Sequence, residues 1–159
     1  MTQKIRFDRI FRHIIALLQK NARLSNKELA AGIGLAPSSC LERVRTLEAA
    51  GIFRGFHASV DPAALGIGLE AMVAVRLSRH SRRLMEDFMA YVRMLPQVHA
   101  VYHIGGAIDF WLHVVARDTQ HLLDFNLNYL STRREIATMD TSIIFTSFRN
   151  PVLPCYLDE

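Results

Sequence analysis

Residues 24–51, LSNKELAAGIGLAPSSCLERVRTLEAAG, decide how this chain is read. Ser25 stands three residues before Glu28, the spacing of a capping box in which each residue satisfies the other's backbone amide. The box opens a short helix over 25–32, with Leu29, Ala30 and Ile33 turned inward. Gly32 and Gly34 suit a tight turn with left-handed backbone. Pro37, a favoured first-turn residue, starts a longer helix, and Gly51 ends it as the glycine just past a helix terminus. Cys40, Val44 and Leu47 recur at i, i+4 and i+7 and form its buried face. Ser38, Glu42, Arg45 and Thr46 point away from that face, with Ser39 and Arg43 on its flanks. Small hydroxyls at a helix start let the backbone approach a DNA duplex closely, and arginines one to two turns later reach base edges or phosphates. A short helix, a glycine turn and a helix opening on small polar residues is the helix-turn-helix pattern. An ordinary three-helix bundle with a solvated third helix shares the spacing. The candidate DNA-contacting residues are Ser38, Ser39, Glu42, Arg43, Arg45 and Thr46.

Upstream, Phe7, Ile10, Ile14, Leu17 and Leu18 form one apolar stripe, which predicts a helix over 8–21 with Asp8 as its N-cap. Downstream, residues 52–60 read as a strand bent at Gly55, acting as a wing or as a linker. Asp61-Pro62 breaks the chain, and Gly66 and Gly68 mark a boundary between a domain of residues 1–61 and one of residues 62–159. Charge follows the same division. Residues 1–61 hold ten Lys/Arg against five acids, net +5, whereas 62–159 hold nine Arg against ten acids, net −1. A polyanion partner is therefore expected for the first part alone.

From residue 69 the pattern alternates strands and helices: strand 69–78, helix 81–95, strands 97–104 and 108–116, helix 118–131 and strand 135–147. Gly105-Gly106-Ala107 makes a hairpin-type connection between the middle strands. The order βαββαβ is the ferredoxin-like plan, so the fold class is α+β: a winged helix-turn-helix, then an antiparallel sheet with two helices on one face. The other face should carry Val101, Trp111, Val115 and Met72, too apolar to leave in water. The last helix bears two stripes, Leu122, Phe125 and Tyr129, and Leu123, Leu127 and Leu130, more than one packing face requires. Both features predict at least a homodimer, and paired recognition helices read pseudo-palindromic DNA.

The run from Leu24 to Glu48, followed by Gly51-Ile52, resembles the Lrp/AsnC (feast/famine) regulators, and the resemblance covers nearly the whole chain. It implies sequence-specific binding to double-stranded DNA, dimers assembling to octamers, and a C-terminal domain that senses an amino acid or a related small molecule. The family's glycine loop, commonly Gly-Asp-aromatic-Asp-aromatic, reads Gly106-Ala107-Ile108-Asp109-Phe110 here, with Ala107 in place of the first acid. In the family this loop lies near the effector site between subunits. The implied effector residues are Gly105, Gly106, Ala107, Asp109, Thr141 and Ser142. The Gly105 and Gly106 amides form an anion-binding nest, and Asp109 either pairs with an ammonium group or is a buried structural acid. Phe11 stands where many relatives carry an acid, and is read as packing.

His99, Val101 and His103 alternate along one strand, so both imidazoles are expected on one face, joined by His113 from the next strand. Polar residues at a subunit interface explain them better than a metal site, and no metal, cofactor or catalytic residue is assigned. The different-class alternative is an enzyme of the siroheme-decarboxylase type. Those relatives carry a His-Asn-Tyr stretch, whereas this chain reads His99-Ala100-Val101 and then Tyr102-His103. Met1 to Arg12 is charged and lacks an apolar signal core, and no apolar run approaches the roughly 18 residues that span a bilayer. A cytoplasmic location with no membrane partner follows, and Cys40 and Cys155 are read as free thiols.

Overall fold

The structure, a computed structural model, describes residues 8–156; Phe7, placed on the first helix's stripe by the sequence, lies outside them. The chain divides into two compact units, residues 8–59 with 148–156, and residues 60–147.

In the first unit Asp8 caps α1 (Arg9–Lys20), accepting the Phe11 N–H at 2.8 Å. The capping box forms around α2 (Asn26–Ile33): Glu28 donates its N–H to Ser25 Oγ at 3.3 Å, and its carboxylate accepts the Ser25 N–H at 2.7 Å. Gly34 closes α2 with φ of 70°, the left-handed turn the sequence requires. Gly32 is helical instead, and its small size serves packing: a Cβ there would lie 3.2 Å from Leu17 Cδ1. The α3 helix (Pro37–Ala49) follows, and Gly51 ends the run with φ of 69°. Ile14, Leu18, Leu29, Ala30, Cys40 and Leu47 make the buried centre of the three helices. The strand expected over 52–60 does not form among the described residues. A strand needs a neighbour's N–H and C=O groups, and among the described residues no backbone hydrogen bond pairs residues 53–59 with another segment. Phe53 packs against the helical core and meets Phe56, ring centroids 5.4 Å apart. Leu153 donates its N–H to Gln19 Oε1 at 2.8 Å, fastening residues of the 148–156 segment to α1.

The second unit is built from β1 (Leu69–Leu77), α4 (Arg82–Val92), β2 (Val98–His103), β3 (Phe110–Ala116), α5 (Thr119–Phe125) and β4 (Ile136–Ile144). The sheet order is β2-β3-β1-β4 with every neighbouring pair antiparallel, the ferredoxin-like arrangement. Phe88, Phe110 and Phe125 are fully buried between the helices and the sheet.

Two local irregularities change which side chains face where. The β2–β3 register slips between Val98 and Ala100, so one extra residue of β2 faces β3. Val101 consequently packs with the core on the helix side, not on the open face. Met72, Trp111 and Val115 do lie opposite the core positions, with half-exposed Tyr102 and Ile104 beside Met72 and Trp111. The last helix also departs from regularity. After Phe125 it widens into a π turn, Asn126–Leu130, closed by the Ser131 N–H donating to Asn126 O at 2.8 Å. The wider turn carries Leu130 into the core and leaves Tyr129 outside with Leu123 and Leu127, regrouping the two expected stripes.

Candidate functional site

The first candidate surface is the exposed side of α3. Cys40 and Leu47 bury the opposite face, which fixes the helix's rotation. Ser38, Ser39, Glu42, Arg45 and Thr46 are all exposed. Ala36, the N-cap, supplies no side-chain cap, so the amides of the first turn stay available to an acceptor outside the protein. Arg45 has no ion-pair partner among the described residues. The Thr46 hydroxyl donates back to Glu42 O at 2.9 Å, leaving its methyl and oxygen lone pairs outward. Arg43 is not brought to this surface. It is half-buried, bonded to Asp8 at 2.7 Å and lying 4.8 Å over the Phe11 ring. Burial pushes the Asp8 carboxyl up, but the Phe11 amide and the Arg43 guanidinium outweigh it and hold the group below the ordinary carboxylate range. Phe11 thus takes part in the α1–α3 junction. Sequence reasoning missed Asn26, whose side chain donates to Pro37 O at 2.8 Å and sets the entry of α3. A half-buried Asn inside a capping box carries no sequence signal for that contact.

The second candidate is the loop between β2 and β3. Gly105, Gly106 and Ala107 are exposed, and Gly106 adopts φ of 137°, a conformation that L side chains rarely adopt. Asp109 is buried at the loop's base, and both its oxygens are engaged. Oδ2 accepts the Leu77 N–H at 2.7 Å, and Oδ1 meets His80 Nε2 at 2.9 Å. Its carbonyl accepts the Ile104 N–H at 2.9 Å and its own N–H donates to Val75 O at 3.0 Å, so the residue ties the loop to the end of β1. His80 was invisible in the sequence, being 29 residues from Asp109 with no periodic relation to it. Thr141 and Ser142 lie on opposite sheet faces. Thr141 pairs with the core position Val73 and accepts from Asn126 Nδ2 at 3.1 Å, whereas Ser142 pairs with Met72 on the open face.

The histidines do not share one face. The slip in β2 places His99 beside His113, ring centroids 5.2 Å apart, while His103 stacks on the core residue Phe110 at 4.9 Å. His113 meets Glu70 at 2.5 Å across β3 and β1. Among the described residues no three His, Cys, Asp or Glu side chains converge to hold a metal ion, and no helix is long and apolar enough to cross a membrane.

Similar proteins fit this geometry. Residues 7–54 match the family described as winged helix-turn-helix DNA-binding, and residues 70–151 match the Lrp/AsnC ligand binding domain. The chain is 44% identical over 142 residues to the HTH-type transcriptional regulator AldR of Mycolicibacterium smegmatis, covering 89% of this chain and 83% of that one. It is 34% identical to the transcriptional regulator AzlB of Bacillus subtilis, covering 93% of this chain and 94% of that one. Among solved structures, a transcriptional regulator from Neisseria meningitidis in complex with L-Met superposes with a TM-score of 0.85 at 31% identity, covering 91% of this chain and 94% of that one.

Proposed function

The chain belongs to the Lrp/AsnC family of transcriptional regulators, and from that premise we propose how its two units divide the task. The α3 helix enters the major groove of double-stranded DNA with Ser38, Ser39, Glu42, Arg45 and Thr46 toward the duplex. Arg43 holds the helix to α1. One observation carries this reading: an uncapped helix start and an arginine with no ion-pair partner among the described residues share a single exposed surface, above a face fixed by Cys40 and Leu47. The open sheet face, with Met72, Trp111 and Tyr102, is covered by a second copy, so that two recognition helices act together. Dimers assemble further, to octamers, in the cytoplasm. An amino acid or a relative of one binds beside the glycine loop at Gly105 and Gly106 and shifts the assembly, with Asp109 anchoring the loop.

The test is a fluorescence-anisotropy titration of a labelled duplex from the protein's own upstream region. Binding should fall steeply with salt as phosphate contacts release counterions, and should exceed binding to a scrambled duplex at every salt concentration. Equal affinity for both duplexes would sink the reading.

A further inference from the structure

Charge counted over whole segments hides where the arginines of the second unit stand. Residues 62–159 hold nine Arg, and six of them fall in two short stretches: Arg76, Arg79, Arg82 and Arg83 within 76–83, where no acid occurs, and the adjacent Arg133 and Arg134. The fold brings the two stretches together. β1 pairs with β4 as far as Leu77 and Ile136, and just beyond that pair the Ser78 N–H donates to Glu135 O at 2.8 Å. The β1–α4 connection therefore runs beside the α5–β4 connection, with Arg79 and Arg134 next to the bonded residues. Three of the six arginines are committed elsewhere. Arg133 binds Glu135 and lies 4.0 Å over the Tyr91 ring. Arg83 is 3.7 Å from Asp87, one turn along α4. Arg76 alternates with the core residues Val75 and Leu77 and so lies on the open sheet face, which a second copy covers in the reading above. Arg79, Arg82 and Arg134 are exposed, and none has an ion-pair partner among the described residues. The start of α4 adds the partial positive charge of a helix N-terminus, and the acids of that helix, Glu86 and Asp87, stand a turn further along.

Arginines gathered and left unpaired repel one another, and a polyanion removes that repulsion. Drawn from two loops and one helix turn, these three suit phosphates, which attract charge and carry no sequence information. We propose that Arg79, Arg82 and Arg134 form a second DNA surface, on the second unit, which takes the phosphate backbone of the duplex outside the segment that α3 reads. The proposal rests on the DNA reading above and adds to it a sequence-independent contact whose strength depends on duplex length and on salt. Each guanidinium offers a phosphate two parallel N–H groups, so three residues supply a compact anchor without a groove-reading element.

Fluorescence anisotropy tests it with two labelled duplexes. One is the shortest upstream fragment that the wild type distinguishes from a scrambled duplex. The other is that fragment extended on each side by scrambled sequence of two duplex turns, roughly 20 base pairs. Arg79→Ala, Arg82→Ala and Arg134→Ala combined should leave the short duplex bound within about twofold of wild type and weaken the extended one about tenfold or more. The salt slope on the extended duplex should fall by about 2 to 3, because each lost phosphate contact removes about one released counterion. Arg79→Lys, Arg82→Lys and Arg134→Lys combined should restore most of the loss, since a phosphate accepts either cation. Arg45→Ala, by contrast, should weaken both duplexes. Thermal unfolding and light scattering should give the wild-type midpoint and assembly for both triple variants. Wild-type affinity of the alanine variant for the extended duplex overturns the proposal while recognition by α3 stands. An equal loss on both duplexes, or a changed assembly size, also overturns it and makes the cluster part of the recognition site or of a contact between copies. If the wild type distinguishes no upstream duplex from a scrambled one, the DNA reading falls and this proposal with it.

Discussion

The recognition helix and the glycine loop use their polar residues in opposite ways. On α3 the helix start has no side-chain cap and Arg45 has no ion-pair partner among the described residues, so donors there are open to an outside acceptor. In the loop the one acid is fully engaged within the protein, by a buried amide on β1 and by His80. A surface built to bind carries unsatisfied polar groups in solvent, where they cost little; a surface built to hold shape satisfies them internally. The same distinction separates two arginines two residues apart. Arg45 belongs to the proposed binding surface, whereas Arg43 is fixed by Asp8 and Phe11.

The comparison breaks most visibly at Asp109. Asp109→Ala should destabilise the second unit by about 1–3 kcal/mol, because the Leu77 amide is left buried without an acceptor. Asp109→Asn, which keeps an acceptor, should recover part of the loss, and chemical denaturation of both variants checks this. Loss of effector response without loss of stability would mark Asp109 as a ligand contact after all.

Arg43→Ala should lower stability by about 1 kcal/mol, the sum expected for a half-exposed ion pair and a cation–π contact, with far less effect on DNA affinity than Arg45→Ala. The pH dependence has a definite sign. Since folding holds the Asp8 carboxyl below its ordinary range, its contribution is present above the unfolded value of about 4 and disappears as pH falls through the folded value. Asp8→Asn should therefore reduce stability at neutral pH and flatten the decline below about pH 4 in unfolding curves.

The smallest effect concerns the thiols. Cys40 is buried, and burial pushes its thiol up, so it stays protonated and unreactive; Cys155 is exposed. A thiol reagent should modify one cysteine in the native protein and the second only after denaturation, without loss of DNA binding at the first step.

The helix-turn-helix was legible because its determinants are local: the Ser25–Glu28 box, Gly34, Pro37 and Gly51 each act within a few residues. The ferredoxin-like order was legible from strand periodicity and breaks. What the sequence hid was set by tertiary register. The slip in β2 moved Val101 to the core side and separated His103 from His99. The π turn exchanged Tyr129 for Leu130, because widening one turn rotates every later side chain. Parity along β4 put Thr141 and Ser142 on different faces. The roles of Arg43 and Asp109 depended on partners 35 and 32 residues away, beyond any local pattern.

The central claim is that the outward side of α3 contacts DNA while Arg43 serves the scaffold. Its most direct test is the affinity of Arg45→Ala for the upstream duplex, measured by anisotropy beside the wild type at matched salt and with oligomer size checked by light scattering. The account predicts a loss of about tenfold or more, an unchanged assembly and an unchanged thermal midpoint. Unaltered affinity in a variant of native size would show that α3 presents another face to DNA.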